Sequence, residues 1–128
     1  MKTLAIRQPW VSLIAEGDKT IEVRTWRTDH RGPLLLVASG KPLQVDCDGE
    51  MHTLPAGCQV CIVDLINVRP LTTADLVAAC LDDWPAFDLA GHYAWELANP
   101  RDVIEAQHKG RLRLYDTPDA GIRLAEAS

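Results

Sequence analysis

The sequence predicts a small α+β domain built around a mixed, barrel-like β-sheet with peripheral helices. Segments with strand character outnumber helical ones, and the two kinds do not alternate regularly, which argues against a doubly wound parallel sheet. A chain of 128 residues also holds one compact core but not two. The composition, 47% hydrophobic and 24% charged, excludes a coiled coil, a collagen-like fibre and a disordered chain. No repeat or linker marks an internal boundary, so residues 1–128 are expected to form a single domain, with 115–128 as a candidate mobile tail.

The elements follow in order. Thr3 to Arg7 reads as a short strand. Pro9 suits the first position of a helix, where its missing N–H leaves no bond unmade. Trp10, Leu13 and Ile14 give that helix an apolar stripe, and Gly17 terminates it. Thr20 to Trp26 alternates with period two: Ile21, Val23 and Thr25 share one face, and Thr20, Glu22, Arg24 and Trp26 the other. A turn at Arg31-Gly32-Pro33 precedes Leu34 to Ser39, an apolar run suited to a strand buried on both faces. Residues 41–57 are polar, with Asp48-Gly49 as the turn of a hairpin between weak strands. Gln59 to Val68 is the best long strand. Thr72 or Thr73 is expected to cap a helix running through Cys80, with Asp75 in its first turn. Residues 82–90 read as irregular or a single helical turn, broken by Pro85, and strands near His92–Leu97 and Arg111–Tyr115 close the pattern.

Charge narrows the function. Thirteen basic against eighteen acidic side chains leave a net −5, which excludes a uniformly basic nucleic-acid binder. The distribution is uneven: residues 1–41 carry a net +3 and residues 42–128 a net −8, an asymmetry that permits a local basic cleft on an acidic body. No apolar stretch approaches the ~20 residues of a membrane span, so no membrane partner is expected. Met1-Lys2-Thr3 reaches Arg7 without a secretory pattern, and a cytoplasmic location with reduced cysteines is expected. Cys58 and Cys61 form a CxxC, but residues three apart on a strand face opposite ways. No second CxxC or His pair completes a zinc site, and no metal or cofactor is expected. Gly-rich phosphate loops, HExxH and GxSxG are missing.

Three constellations carry chemistry. Lys19, Glu22 and Arg24 place a cation, a carboxylate and a second cation within six residues; such a trio suits a phosphate, a polar base edge or acid–base chemistry. Gln8, Trp10, Trp26 and Arg27 supply amide, aromatic and cationic groups, with Trp26 as the stacking candidate. Tyr93 and Trp95 share a strand face, while Lys109 and Arg111 flank Gly110, which allows close backbone approach of the kind a phosphate requires.

Gln8-Pro9-Trp10, Gly17-Asp18-Lys19-Thr20-Ile21-Glu22-Val23-Arg24-Thr25-Trp26 and His30-Arg31-Gly32 closely resemble the activating signal cointegrator homology (ASCH) family. The likeness continues through Ala38-Ser39, the strand from Gly57-Cys58 to Asp64-Leu65, Tyr93-Ala94-Trp95, Asn99-Pro100-Arg101 and Lys109-Gly110, roughly residues 4–115 in order. The resemblance implies a PUA-like fold and a nucleic-acid cleft between the first helix and the barrel. By position, that cleft would use Gln8, Trp10, Lys19, Glu22, Arg24 and Trp26, with Arg31, Tyr93 and Lys109 at its rim. Lys19, Arg31 and Lys109 would hold phosphates, and Gln8, Glu22 and Arg24 would read a base edge. Single-stranded RNA is the implied partner, with DNA as second choice. A branch of the family resembles amidohydrolases acting on 4-acetylcytidine, where a Thr two places before the Arg is the nucleophile and the upstream Lys its base. This chain keeps Lys19 and Arg24 but has Glu22 in place of that Thr, which argues against the same covalent route. As a metal-independent hydrolase of a modified pyrimidine nucleoside or as a ribonuclease, it would use Lys19, Glu22 and Arg24 as catalytic residues, Glu22 activating a water.

Overall fold

The computed structural model describes residues 1–83 and 88–125. The expected break at Pro85 lies outside the described residues. Among the described residues, eight strands and one short α-helix follow one another as β1 (Lys2–Arg7), α1 (Trp10–Ala15), β2 (Ile21–Arg24), β3 (Gly32–Ser39), β4 (Leu43–Cys47), β5 (Glu50–Leu54), β6 (Cys58–Pro70), β7 (Tyr93–Asp102) and β8 (Leu114–Asp116). Six of them form one curled sheet in the order β2-β7-β6-β3-β1-β8, a strand-dominated, barrel-like half shell. β4 and β5 form a separate hairpin. Only β1 and β3 pair in parallel.

The double-sided strand is β3. Leu34, Leu36 and Ala38 join Leu4, Ile6, Val63, Leu65 and Trp95 in the main core, which Val11 and Ile14 of α1 cover. Leu35 and Val37 face the other way, against Ile62 and Val103. The helix therefore buries Val11 and Ile14 rather than the Trp10/Leu13/Ile14 stripe, with Trp10 half-buried beside them. Gly17 ends it in the left-handed region at φ 86°, as expected of a helix-terminating glycine. The Asp48-Gly49 turn also forms, with φ of 53° and 87°, the left-handed pair that a tight hairpin needs.

Two expectations are corrected. The helix proposed through Cys80 does not form; residues 73–75 make one 3-10 turn and the chain then coils to Leu81. Ala79 still donates to the Asp75 carbonyl, but Leu81 donates to Leu76, five residues back, so the run does not continue as a helix; the Ala78 carbonyl accepts from the backbone of Thr20 and Ile21, and that of Ala79 from the Lys19 ammonium. Cys80 itself sits at φ 58°. The parity argument at the CxxC also fails, because Leu36 pairs with Cys61 while Val37 pairs with Gln59, leaving Val60 as an extra residue in β6. That bulge resets the alternation and puts Cys58 and Cys61 in the same core cluster. Both are free thiols; burial, the largest cause, together with Glu105 pushes Cys58 up to about 11, and burial with Asp102 pushes Cys61 up to about 12.

Boundaries shift where local geometry intervenes. β7 runs on past Leu97 to Asp102, and Pro100 is tolerated there beside a register irregularity and a left-handed Asn99. β8 begins at Leu114 because Arg113, at φ 55°, turns the preceding residues out as a loop. After Asp116 the chain makes a 3-10 turn at Asp119–Gly121. It then returns to the end of β7, where Ile104 donates to the Arg123 carbonyl and Ala125 to the Asp102 carbonyl.

The turn after β6 is held by Asp75, whose buried carboxylate receives a bidentate Arg69 at 2.7 Å per bond, plus the backbone N–H and hydroxyl of Thr72. Arg69, first, and then Thr72 hold its carboxyl well below the usual carboxylate range. A depressed acid contributes stability that is complete above its unfolded value near 3.8 and is lost as pH falls toward the native value. Asp75→Asn should therefore lower unfolding stability by about 2–3 kcal/mol at pH 7. In urea titrations this difference from wild type should shrink below about pH 3; an equal difference at both pH values would contradict the assignment.

Candidate functional site

The sheet does not close. β8 pairs with β1 only over Lys2–Leu4, so the second half of β1 has no strand on its outer side, and β2 has β7 on one side only. Between these two open edges lies a cleft of about 980 Å³. Its walls are Ala5–Arg7 of β1, Glu22–Trp26 of β2 and beyond, Ala38–Gly40 at the end of β3, and the loop His108–Arg113, with Trp10 and Lys19 also lining it.

One hydrogen-bonded chain spans the gap. Glu22 Oε1 accepts the Val23 backbone N–H at 3.1 Å on the β2 edge. Glu22 Oε2 accepts Arg24 Nε at 3.3 Å and Nη2 at 3.1 Å, and Arg24 Nη2 also donates to the Ala5 carbonyl on β1 at 3.0 Å. Side chains thus satisfy the backbone groups that a missing strand would have paired. Lys19, 3% exposed, completes the cluster: its ammonium donates to the Ala79 carbonyl, lies 3.6 Å from Glu22 Oε1, and sits 5.3 Å from the centre of the Trp10 ring. Burial lowers the Lys19 pKa from the ordinary lysine value, and the neighbouring Glu22 carboxylate opposes that shift. The local sequence brings these groups together because Gly17 turns the helix end and the strand's period of two sets Glu22 beside Arg24.

The structure gathers six of the nine expected binding residues at the cleft: Trp10, Lys19, Glu22, Arg24, Trp26 and Lys109. Gln8, Arg31 and Tyr93 lie outside its lining. Gln8 donates its amide to the Pro55 carbonyl at 2.9 Å, and its buried Oε1 has no hydrogen-bond partner. Arg31 turns back on the carbonyls of Thr28 and His30, both at 2.8 Å. Tyr93 packs on the core with the Arg27 guanidinium over its ring at 5.4 Å. Trp26 meets Trp95 edge to face at 4.8 Å and carries the Arg113 guanidinium over its own ring at 5.1 Å, so its face is not bare. Gly110 does permit a close approach, but to the protein itself: a side chain there would meet the Ala5 Cβ at 3.0 Å.

Arg7, His108, Leu112 and Arg113, which no sequence pattern marks, also line the cleft, as does Arg111. Only Arg111 had a cue, its place beside Gly110. His108 bonds Tyr115 Oη at 2.9 Å; burial and then Arg111 lower its pKa below the ordinary imidazole value, so at neutral pH it adds no charge. Among the described residues, six basic side chains, Arg7, Lys19, Arg24, Lys109, Arg111 and Arg113, therefore share the lining with one carboxylate, Glu22. On a chain of net −5 this is a concentrated positive field. Among the described residues no group of three His, Cys, Asp or Glu side chains is placed to hold a metal.

The ASCH domain family matches residues 4–107 of the chain. Activating signal cointegrator 1 of Mus musculus is 37% identical over 79 residues, and its Homo sapiens counterpart 35% over 79 residues. Each match takes in 50% of this chain but 14% of the relative's own length.

Because Glu22 is the single counter-charge to two buried or half-buried cations, Glu22→Gln should destabilise the chain by about 3 kcal/mol. Exposed Arg111→Ala should change stability by less than about 0.5 kcal/mol. Urea midpoints of the two variants measure this, and similar values for both would refute the role of Glu22 as shared counter-charge.

Proposed function

The chain belongs to the ASCH domain family, and on that footing we propose that its cleft binds nucleic acid, with single-stranded RNA as the preferred partner and a PUA-like barrel as the scaffold. The observation that carries this reading is the six-to-one excess of basic over acidic side chains in a cleft on an acidic chain. Diffuse surface charge would not produce that contrast, whereas a polyanion-binding groove requires it.

The cationic groups divide by exposure. Lys19 and Arg24 are committed to Glu22 and to the Ala79 and Ala5 carbonyls, so they shape and polarise the floor. Lys109, Arg111 and Arg113 are exposed at the mouth and are the phosphate contacts. The cleft's volume, near the top of the ~300–1,000 Å³ range of small-molecule sites, and its open sides suit a strand passing through better than one enclosed nucleoside. Unpaired bases can enter such a groove, whereas a closed duplex presents its backbone.

The same geometry disfavours hydrolysis. A general base needs a free lone pair directed at its water; Glu22 Oε2 accepts both Arg24 bonds and Oε1 accepts the Val23 N–H, which leaves one acceptor site, on Oε1, with the Lys19 ammonium 3.6 Å away.

Fluorescence anisotropy with a labelled single-stranded RNA tests the proposal. Wild type should bind at about 50 mM salt and weaken steeply by about 200 mM. The Lys109→Ala/Arg111→Ala/Arg113→Ala variant should bind at least about tenfold more weakly, with the log–log salt slope reduced by about 2, since each lost phosphate contact removes ~0.7. Absence of binding at low salt, or unchanged binding by the triple variant, would overturn it. Release of product from 4-acetylcytidine or RNA would favour the hydrolase instead.

A further inference from the structure

Leu112 lines the cleft and is 92% exposed. A single leucine in water is unremarkable on a protein surface. This one is held there by a loop anchored at both ends. On one side, Gly110 is wedged against β1 and β3: a Cβ there would lie 3.0 Å from Ala5 Cβ and 3.6 Å from Ser39 Cβ. On the other, Arg113 adopts φ 55°, a conformation unfavourable for a side-chain-bearing residue, and its guanidinium lies over the Trp26 ring at 5.1 Å. Leu114 then enters β8 opposite Leu4. Arg111, the preceding residue, has its guanidinium 5.9 Å from the centre of the Tyr115 ring. Leu112 is thus the projecting tip of a braced loop, with Lys109, Arg111 and Arg113 around it.

Resting on the nucleic-acid reading above, we propose that Leu112 is a base-contacting residue that packs against or between unpaired bases while the surrounding cations grip the flanking phosphates. The chemistry is complementary: cations recognise a strand without regard to its bases, and an apolar side chain at the same place gains only from a base's flat face. Aliphatic wedges act this way when backbone contacts have already fixed the register. The cationic surround also selects the occupant. An apolar tip flanked by three positive groups matches a polyanion carrying apolar rings better than an apolar protein face, which would leave those charges unpaired.

Two probes separate this contact from the charge contacts: a labelled 12-nucleotide single-stranded RNA of mixed sequence, and a strand of the same length and charge whose central nucleotides are abasic. Wild type should prefer the intact strand by about tenfold. Leu112→Ala should reduce that preference to about twofold or less, with the salt slope and the affinity for the abasic strand unchanged, and Leu112→Phe should restore it. Being so exposed, Leu112 tolerates these changes without disturbing the core. Retention of the full preference by Leu112→Ala would overturn the proposal while leaving nucleic-acid binding intact, and would point to a protein contact for this tip. Loss of affinity for both strands in equal measure would likewise overturn it. Failure of wild type to bind either strand would instead remove the underlying reading.

Discussion

The Glu22 carboxylate joins the two open edges of the sheet. It accepts the Val23 N–H on the β2 edge, holds Arg24 against the Ala5 carbonyl of β1, and neutralises Lys19, which in turn secures the turn at Ala79. A ladder of backbone bonds between β1 and β2 would have closed the barrel and left no cleft. Side chains make the same connections at greater reach, so the polar groups are satisfied while the seam stays wide. Every other feature of the site depends on that substitution of side chains for a strand.

The arrangement also accounts for a basic groove on an acidic molecule. Positive side chains from β1, from the helix end, from β2 and from the loop before β8 converge because those elements border the same gap. The inner pair, buried Lys19 and half-buried Arg24, is balanced by one carboxylate and by carbonyl oxygens, and so is tolerated at low exposure. Among the described residues the outer cations meet aromatic rings, Arg113 on Trp26 and Arg111 on Tyr115, but no carboxylate, and leave their field directed at whatever enters the cleft. Net charge describes how the whole molecule behaves at a distance, whereas the potential within the gap follows from which residues line it. The Arg69–Asp75 pair supports this indirectly, since it braces the turn that presents Ala78 and Ala79 to the start of β2.

Local signals were legible wherever they involved neighbours in sequence. The apolar run at Leu34–Ala38 read as a strand buried on both faces and is one. Asp48-Gly49 read as a hairpin turn, and Gly17 as a helix end, because left-handed backbone leaves a residue-type signature. The Lys19/Glu22/Arg24 cluster was readable for the same reason: three residues of one strand entrance need no distant chain to bring them together. Arg7 and Arg113 carried no comparable signal, because an arginine at a strand end looks the same whether it borders solvent or a cleft.

Where distant segments meet, sequence pattern was a poor guide. The helix expected through Cys80 gives way to turns that end on a left-handed Cys80 and present the Ala78 and Ala79 carbonyls to Lys19, Thr20 and Ile21. The CxxC parity failed because a bulge at Val60, set by pairing with β3, shifts the alternation by one. The sequence suggests that Gly110 makes room for a phosphate, whereas the packing fills that room with Ala5 and Ser39. From the chain's order of residues came the strand-rich architecture, the main turns and the charged trio, since each is written in contiguous residues by periodicity and backbone preference. Tertiary contact alone chose which edges remain unpaired, how the cations gather around the gap, and that a leucine stands at its mouth. Those outcomes turn on competition between partners far apart in the chain, which no local pattern encodes.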